Sequence, residues 1–226
     1  SQIYNFYLIF SAINLDMTTI KTVLILAPHP DDGEFGCGAS IHKLTQTGVE
    51  VHYAAFSPCT DSVPDGFEQD ILYKELHKAA VQLGILENNI YTFDFPVRNF
   101  PEHRQSILDT MISLKKSFNP DLVFLPNSDD VHQDHQVVHQ EGIRAFKHCC
   151  ILGYELPWNN LQFTSNFHYR ITQNNLDAKW NAISAYQSQN FRSYKSADFW
   201  EGLSRLRGTQ VGSEFAEAFE LIRWID

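Results

Sequence analysis

Two short segments hold the densest patches of His and Asp in the chain. The first, at residues 28–34, reads PHPDDGE, and the second, at residues 127–135, reads NSDDVHQDH. Zinc and related divalent ions accept imidazole nitrogens and carboxylate oxygens, and a catalytic zinc site keeps three protein ligands plus a water. The two segments together predict a metal centre that generates a hydroxide nucleophile near neutral pH, provided that the fold brings them together.

Three side chains are the candidate metal ligands. His29 and Asp32 are three residues apart, so a tight loop can direct both at one point. His135, at the start of a predicted helix, would complete a His/Asp/His set. Iron or another divalent ion could occupy the same ligands, but zinc is the ion we expect.

The neighbouring residues are candidates for the acid–base chemistry. Asp31 lies beside a ligand and could remove the proton of the metal-bound water. His132 could act as an imidazolium that stabilises a developing oxyanion. Asp134 could hold His132 charged and oriented, because a nearby carboxylate raises the pKa of a histidine.

Plainer explanations exist for several of these residues. Asp31 and Asp32 could simply cap the N-terminus of a helix, where carboxylates are favoured, and Asp134 could cap the helix that follows it. His135 and His139 are four residues apart and could form a rival metal pair on one helix face. The occurrence of two such clusters at two strand ends favours the functional interpretation.

Two other motifs are disfavoured. Position 136 is Gln136, so the Glu that an HExxH metalloprotease needs is absent. Gly33, Gly36 and Gly38 follow a strand but do not match GxGxxG, which disfavours a dinucleotide site. We expect Gly36 and Gly38 to let a helix pack close to the sheet.

Hydrophobic patterning predicts the elements that position these segments. Predicted strands are Thr22–Ala27, Glu50–Phe56, Asn89–Phe93, Asp121–Leu125, Cys150–Tyr154 and Asn166–Ile171. Predicted helices are Glu34–Thr47, Phe67–Leu83, Glu102–Phe118, Asp134–His148 and Leu176–Ser188. Residues 197–226 have a mixed pattern from which we assign no element.

This alternation of strands and helices predicts one α/β domain, a Rossmann-like three-layer sandwich around a mostly parallel sheet. In a doubly wound sheet of order 3-2-1-4-5, the first and fourth strands are neighbours. Ligands bind beyond their carboxyl ends, where the strand order reverses. The PHPDDGE and NSDDVHQDH segments follow those two strands, so we expect them to meet in one crevice.

Composition limits the partners and the compartment. The chain has 226 residues, 43% of them hydrophobic, which is enough for a sizeable core. It carries 17 Lys and Arg against 27 Asp and Glu, a formal charge of −10 that repels nucleic acid. Four cysteines without a CxxC pair favour a reducing compartment, and we expect a cytoplasmic protein.

The N-terminal residues differ from the rest of the chain. Residues 3–15 are apolar but too short for a membrane span, which needs about 20 residues, and no basic segment precedes them as in a signal peptide. Met17 begins a segment that resembles a natural start. We therefore predict an extension at residues 1–20, a domain at residues 21–226 and no integral membrane segment.

The motifs resemble those of a known family. The segment APHPDDGEFGCGA at residues 27–39, and HQDH at residues 132–135 after a PDLVFLP strand, are similar to the LmbE/PIG-L family of zinc-dependent de-N-acetylases. The resemblance extends from Lys21 to the C-terminus and includes weaker matches at Val97–Leu108, Ala185–Gln189 and Ser213–Phe219. The family fold is a Rossmann-like α/β domain.

The resemblance also implies roles for individual residues. The implied zinc ligands are His29, Asp32 and His135. Asp31 becomes the general base and the acid that returns the proton to the leaving amine, while His132 becomes the oxyanion stabiliser oriented by Asp134. Arg98 becomes a contact to substrate hydroxyls or a phosphate, whereas for Tyr186 we expect core packing.

The predicted function is hydrolysis of the acetamide of a small N-acetylglucosamine-type conjugate, with zinc as cofactor. One alternative is a zinc hydrolase of another amide-linked sugar conjugate. A second is a non-enzymatic nucleotide-binding module on the same fold, and a third is an interaction protein with a closed structural zinc site. The resemblance also allows a homo-oligomer.

Overall fold

Seven strands and six helices form the part of the chain that the computed structural model describes, residues 17–225. The strands are β1 (Thr22–Ala27), β2 (Glu50–Ala55), β3 (Ile90–Thr92), β4 (Leu122–Pro126), β5 (Cys150–Tyr154), β6 (Phe167–Ile171) and β7 (Phe215–Arg223). The helices are α1 (Asp32–Gln46), α2 (Ile71–Gln82), α3 (Arg104–Phe118), α4 (Gln133–Ala145), α5 (Gln173–Ser184) and α6 (Ala197–Thr209).

The strands form one sheet of order β3-β2-β1-β4-β5-β7-β6. The pairs from β3 to β5 are parallel, and β7 pairs antiparallel with β5 and β6. Helices α1, α2 and α5 cover one face, and α3 and α4 cover the other. The predicted three-layer α/β architecture and the order 3-2-1-4-5 are confirmed. The predicted extension at residues 1–20 falls mostly outside the described residues, so its boundary stays a prediction.

The centre of the sheet explains why β1 and β4 read as continuous apolar runs. Alternate residues of β1 enter the two cores, with Val23 and Ile25 on the α1 side and Leu24 and Leu26 on the α3 side. Both faces of these strands are therefore buried, which removes the alternation that a half-exposed strand would show. The two strands pair directly, so their carboxyl ends lie side by side.

The C-terminal region contains the elements that the sequence pattern did not reveal. Residues 197–209 form α6, and residues 215–223 form β7, which inserts between β5 and β6. Glu217 and Glu220 interrupt the apolar pattern of β7, so the segment does not read as a buried strand. Glu217 is only 5% exposed, and a buried cation compensates its charge.

That cation belongs to a buried ion pair that holds α1. The helix is kinked at Cys37, where φ is −145°. Just after the kink, the Ala39 and Ser40 amides donate to the Glu217 carboxylate over 3.2 and 2.6 Å. The Lys179 ammonium lies 2.7 Å from the same carboxylate. Glu217 therefore acts as a distant cap for the second part of α1.

Helix α1 also lies very close to the sheet. A Cβ atom on Gly36 would overlap the Tyr154 ring, and one on Gly33 would lie 2.6 Å from the Tyr53 ring. Gly36 thus has the packing function expected from the sequence. α1 begins at Asp32 rather than at Glu34, so the motif itself supplies the first helical turn. None of the helices in residues 17–225 is long and apolar enough to cross a membrane.

Candidate metal centre

The carboxyl ends of β1 and β4 bring the two sequence motifs into contact. His29 Nδ1 lies 3.1 Å from His135 Nε2 and 3.2 Å from Asp32 Oδ2. The third side of the triangle, from His135 Nε2 to Asp32 Oδ2, is 3.3 Å. A tetrahedral ion with bonds of about 2.0–2.1 Å needs ligand atoms about 3.3 Å apart. These three ligand atoms, His29 Nδ1, Asp32 Oδ2 and His135 Nε2, are called the donor triangle below. Their spacing fits a zinc-sized ion.

A carboxylate that the sequence analysis left without a function orients His135. Asp130 Oδ2 lies 2.7 Å from His135 Nδ1, and Asp130 Oδ1 accepts from the His132 amide over 2.9 Å. Asp130 is 1% exposed. With Nδ1 donating to Asp130, the lone pair of His135 Nε2 is directed at the donor triangle. The DD doublet five residues before His135 was the available sequence signal.

The electrostatics of the triangle favour a cation. Burial lowers the pKa of His135, but the carboxylates of Asp32 and Asp130 outweigh it and raise that pKa to about 10. Burial likewise raises the pKa of Asp32, but the imidazoles of His135 and His29 outweigh it and hold that pKa well below its usual range. The site therefore stabilises positive charge, which a proton or a divalent ion can supply.

Asp134 has a different partner from the one expected. Its Oδ2 lies 3.0 Å from His29 Nε2 and accepts from the Arg98 amide over 2.6 Å, while Oδ1 accepts from the Phe100 amide over 3.2 Å. Only the backbone amide of Asp134 contacts the His132 ring. The carboxylate thus orients His29 and the loop after β3, which corrects the predicted pairing with His132.

His132 is held in one tautomer at the N-cap of α4. Its Nδ1 accepts from the Asp134 amide over 3.2 Å, so a neutral ring carries its proton on Nε2. Burial, with the charges of His135 and His29, lowers the pKa of His132 to about 4. These contacts favour a neutral ring that donates from Nε2–H, whereas the sequence analysis expected an imidazolium, and the charge of His132 stays a prediction.

His132 also belongs to a possible alternative ligand set. Ring nitrogens of His29, His132 and His135 lie within 4.8 Å of one another. Asp32 Oδ2 is closer, since it lies within 3.3 Å of both nitrogens that face it. These shorter distances favour Asp32 over His132 as the third metal ligand beside His29 and His135.

Asp31 lies at the start of α1, beside Asp32 of the triangle. It occupies the N-cap position of α1 but makes no side-chain cap hydrogen bond, so the simple capping explanation does not apply. Its side chain lines a cavity that opens above the triangle. Burial and the neighbouring charge of Asp32 raise the pKa of Asp31 to about 6, which is near the operating range of a general acid–base catalyst.

Two tyrosines and a buried acid support the turn that carries Asp31. The hydroxyls of Tyr53 and Tyr186 lie 3.0 and 2.5 Å from the Pro30 carbonyl. Both also contact Glu34, over 2.5 and 2.9 Å. Tyr186 is fully buried, as expected of a core residue, and burial raises the pKa of Glu34 to about 8. This network fixes the backbone just before Asp31.

The cavity above the triangle has a volume of about 320 Å³, within the size range of a small-molecule site. One wall is aromatic, with the Trp158 and Tyr194 rings stacked 3.7 Å apart at an angle of 9°. Arg192 lines the same cavity. These residues follow β5 and α5, and no sequence motif marked them.

Arg98 and Arg104, which both follow β3 along the chain, have different surroundings. Arg98 lines the cavity and has a positive φ of 64°, a strained conformation held by the hydrogen bond that its backbone N–H donates to the Asp134 carboxylate. Arg104 instead donates from Nε to Glu141 over 2.8 Å in a structural ion pair. His139, the second member of the rival metal pair, is not part of the donor triangle. Its Nδ1 lies 2.7 Å from the Pro126 carbonyl.

Both motifs lie within a region that matches a known family. Residues 24–146 match the family described as "PIG-L: GlcNAc-PI de-N-acetylase". The chain belongs to this family. Its match includes every residue of the donor triangle and ends before the aromatic wall of the cavity.

Two similar proteins are deacetylases. A diacetylchitobiose deacetylase of Thermococcus kodakarensis is 30% identical over 141 residues, which are 59% of this chain and 52% of that protein. The chain thus spans about half the length of this curated relative. The structure of N,N'-diacetylchitobiose deacetylase from Pyrococcus horikoshii has a TM-score of 0.77 at 24% identity, covering 97% of this chain and 91% of that one.

Another similar structure belongs to a protein with a different activity. GalB, a 4-carboxy-2-hydroxymuconate hydratase from Pseudomonas putida, has a TM-score of 0.73 at 16% identity, covering 92% of this chain and 98% of that one. A fold shared by a deacetylase and a hydratase does not determine the reaction. The reaction has to be argued from the side chains of the site.

Proposed function

We propose that the protein is a metal-dependent hydrolase that removes the acetyl group from an N-acetylglucosamine-type amino-sugar conjugate. The observation that carries the proposal is the donor triangle of His29, Asp32 and His135 at a cavity. Asp31, whose side chain makes no capping hydrogen bond, lines the same cavity. Membership of the family and the similarity to a diacetylchitobiose deacetylase support an acetamide as the reacting group.

The donor triangle would hold a zinc ion. Its two imidazoles and one carboxylate have the chemistry and the spacing that zinc requires, and all three residues line the cavity. A bound zinc ion supplies Lewis acidity and lowers the pKa of water beside it. Asp134 and Asp130 orient His29 and His135, which fixes the nitrogen that each ring presents.

Asp31 moves the proton in this proposal. Its carboxylate takes a proton from the attacking water and returns it to the amine nitrogen as the C–N bond breaks. The raised pKa of Asp31, about 6, suits both steps better than that of an ordinary aspartate would. The network of Tyr53, Tyr186 and Glu34 holds the turn, so the carboxyl does not need to be repositioned between the steps.

His132 stabilises the developing negative charge. Because Nδ1 accepts from a backbone amide, Nε2–H is available to donate to the acetyl oxygen as it becomes an oxyanion. The aromatic wall of Trp158 and Tyr194 provides an apolar surface against which a sugar ring can pack. Arg98 provides a polar contact at the same cavity.

A substrate screen with two readouts tests the proposal. N-acetylated sugars are incubated with the protein, and released acetate and free amine are measured with and without a chelator. We expect equal amounts of both products, and the chelator to stop their release. A free amine without acetate would mean that another amide is hydrolysed. Turnover of an unsaturated carboxylic acid without acetate release would favour a hydratase of the GalB type.

A further inference from the structure

Two segments that border the cavity are joined by a pair of asparagine side chains. Asn127 lies directly after β4, and Asn160 lies in the segment that follows β5. Asn127 Nδ2 donates to Asn160 Oδ1 over 3.1 Å, and Asn160 Nδ2 donates to Asn127 Oδ1 over 2.9 Å. We call these two side chains the amide pair. It connects two loops that are 33 residues apart in the chain.

Backbone groups fix the orientation of both amides. Asn127 Oδ1 also accepts from the Asp129 N–H over 2.9 Å, and Asn160 Oδ1 accepts from the Leu156 N–H over 3.1 Å. A backbone N–H can only donate, so each of these contacts identifies the oxygen of its side chain. Asn127 Nδ2 donates a second bond to the Tyr154 carbonyl over 2.8 Å, and Asn127 is only 2% exposed. The amide pair is therefore a satisfied network with a single arrangement.

The loop after β4 carries side chains that the proposed function uses. His132 is the proposed oxyanion donor, and its backbone N–H donates to Asp130 Oδ1 over 2.9 Å. The other oxygen of Asp130 lies 2.7 Å from His135 Nδ1. A shift of this loop would therefore move the His132 ring relative to the donor triangle.

The segment after β5 carries Trp158 of the aromatic wall. Trp158 lies two residues before Asn160 and lines the same cavity as His132. The backbones of the two segments are also in contact, because the Val131 N–H donates to the Asn159 carbonyl over 3.0 Å. The surface proposed to hold the sugar and the side chain proposed to stabilise the oxyanion thus lie on two directly joined segments.

A purely structural explanation of the amide pair has a direct comparison in the chain. Asparagine side chains commonly fix loop backbones, and Asn166 does so where its Oδ1 accepts from the Leu221 N–H over 2.6 Å. Neither of these two residues lines the cavity. The amide pair differs because each of its residues lies on a segment that lines the cavity.

We propose that Asn160 is a positioning residue that, through Asn127, holds the wall at Trp158 at a fixed distance from His132. A sugar ring packed against the wall then presents its acetyl oxygen to the Nε2–H group of His132. The inference rests on the proposed function, since both groups act in the same reaction. Placement of this kind matters because a misplacement of about 1 Å can cost about 10²-fold in rate.

The kinetics of Asn160→Ala test the positioning. The probe is methyl N-acetylglucosaminide or N,N'-diacetylchitobiose, whichever the wild type deacetylates faster. At saturating zinc, kcat should fall about tenfold and KM should stay within about twofold, because Trp158 itself is retained. Asn166→Ala is the matched control and should leave kcat within about twofold.

A lower melting temperature with an unchanged kcat would show a purely structural role and overturn the proposal. Asn160→Asp provides the same test if the alanine variant does not fold. It keeps an oxygen that accepts from Leu156, but its second oxygen faces Asn127 Oδ1 with no proton between them. Its kcat should therefore also fall.

A double variant identifies the group through which Asn160 acts. In His132→Ala the oxyanion donor is absent, so adding Asn160→Ala should lower kcat by less than about twofold more. A further tenfold loss would show that Asn160 acts through another group. Loss of bound zinc from Asn160→Ala would place the effect on Asp130 and His135. Either result would overturn the proposed link to His132.

Amide hydrogen exchange separates this inference from the proposed function, because it needs no turnover. The Val131 amide should exchange at least about tenfold faster in Asn160→Ala and unchanged in Asn166→Ala. If the wild type deacetylates no sugar, the function fails, and an unchanged Val131 rate would overturn the link between the segments as well. If sugars are deacetylated and Asn160→Ala has a normal kcat, the positioning fails and the function stands.

Discussion

Two buried charged clusters border helix α1, and they differ in where their charges are directed. At the kink of α1, Glu217 and Lys179 bind each other, and their remaining bonds go to backbone groups such as the Phe35 carbonyl. At the start of α1, the Asp32 carboxylate contacts the His29 ring, and both residues line an open cavity. The first cluster is closed and the second is open to a ligand.

Burial therefore does not distinguish a structural charge from a functional one. Glu217 and Asp32 are each 5% exposed, and both accept backbone hydrogen bonds. The difference lies in the partners. Glu217 has an internal cation, whereas the carboxylate of Asp32 faces two imidazoles that can share a metal ion. Convergence of donors on a cavity is the useful criterion for chemistry.

The largest effect should come from removing a corner of the triangle. His29→Ala should abolish stoichiometric metal binding and reduce turnover to background, because two remaining protein donors are too few for a catalytic zinc site. Metal content by elemental analysis and acetate release check this, with a thermal melt as the folding control. Unchanged metal content would remove His29 from the ligand set.

Replacing Asp31 should separate chemistry from metal binding. Asp31→Asn should keep the metal and lower kcat by roughly 10²–10⁴-fold, because the amide cannot carry the proton. Elemental analysis and steady-state kinetics on one preparation provide the comparison. A rate near that of the wild type would show that another group transfers the proton.

His132 should have a somewhat smaller effect. His132→Ala should lower kcat by about 10²–10³-fold, as expected for one lost oxyanion donor. KM should change little if the hydrogen bond forms mainly in the transition state. A rise in KM at constant kcat would instead make His132 a binding residue, and loss of metal would support the alternative ligand set.

The corrected partnership of Asp134 can be tested directly. Asp134→Asn should weaken metal affinity by about 10–100-fold, because the carboxylate orients His29. Competition with a chelator measures that affinity. If Asp134 acted through His132, kcat at saturating metal would fall and metal affinity would stay unchanged.

The closed cluster should respond in stability rather than in chemistry. Lys179→Met should lower the free energy of unfolding by about 3–5 kcal/mol, because it leaves Glu217 buried and unpaired. Urea denaturation measures the loss. The double variant Lys179→Met/Glu217→Gln should recover part of it, since no uncompensated charge remains. Turnover per folded molecule should stay close to wild type, and a selective loss of turnover would contradict the comparison.

Much of the site could be predicted because it depends on local patterns and on one topological rule. Short apolar runs predict β1 and β4, and the doubly wound order makes them neighbours. Residues directly after these strands then have to meet, which brought His29 and His135 together as expected. The rule says which strand ends are adjacent, but it does not specify the hydrogen bonds between individual side chains.

The partners of those side chains were harder to predict. Asp134 is two residues from His132, so sequence proximity suggested the wrong imidazole. On α4 its carboxylate points instead toward His29 and the Arg98 amide. Asp130 had a visible signal in the motif, but its partner became clear only from the 2.7 Å contact with His135.

The sequence by itself determined the parallel half of the sheet and the residues that can carry a metal, because apolar runs and turn motifs act over a few neighbouring positions. Only the tertiary structure decided the insertion of β7, the Lys179–Glu217 pair and the cavity wall of Trp158 and Arg192. These features join segments far apart in the chain. Their pairing depends on how the packed backbone directs each side chain, and no local pattern records that.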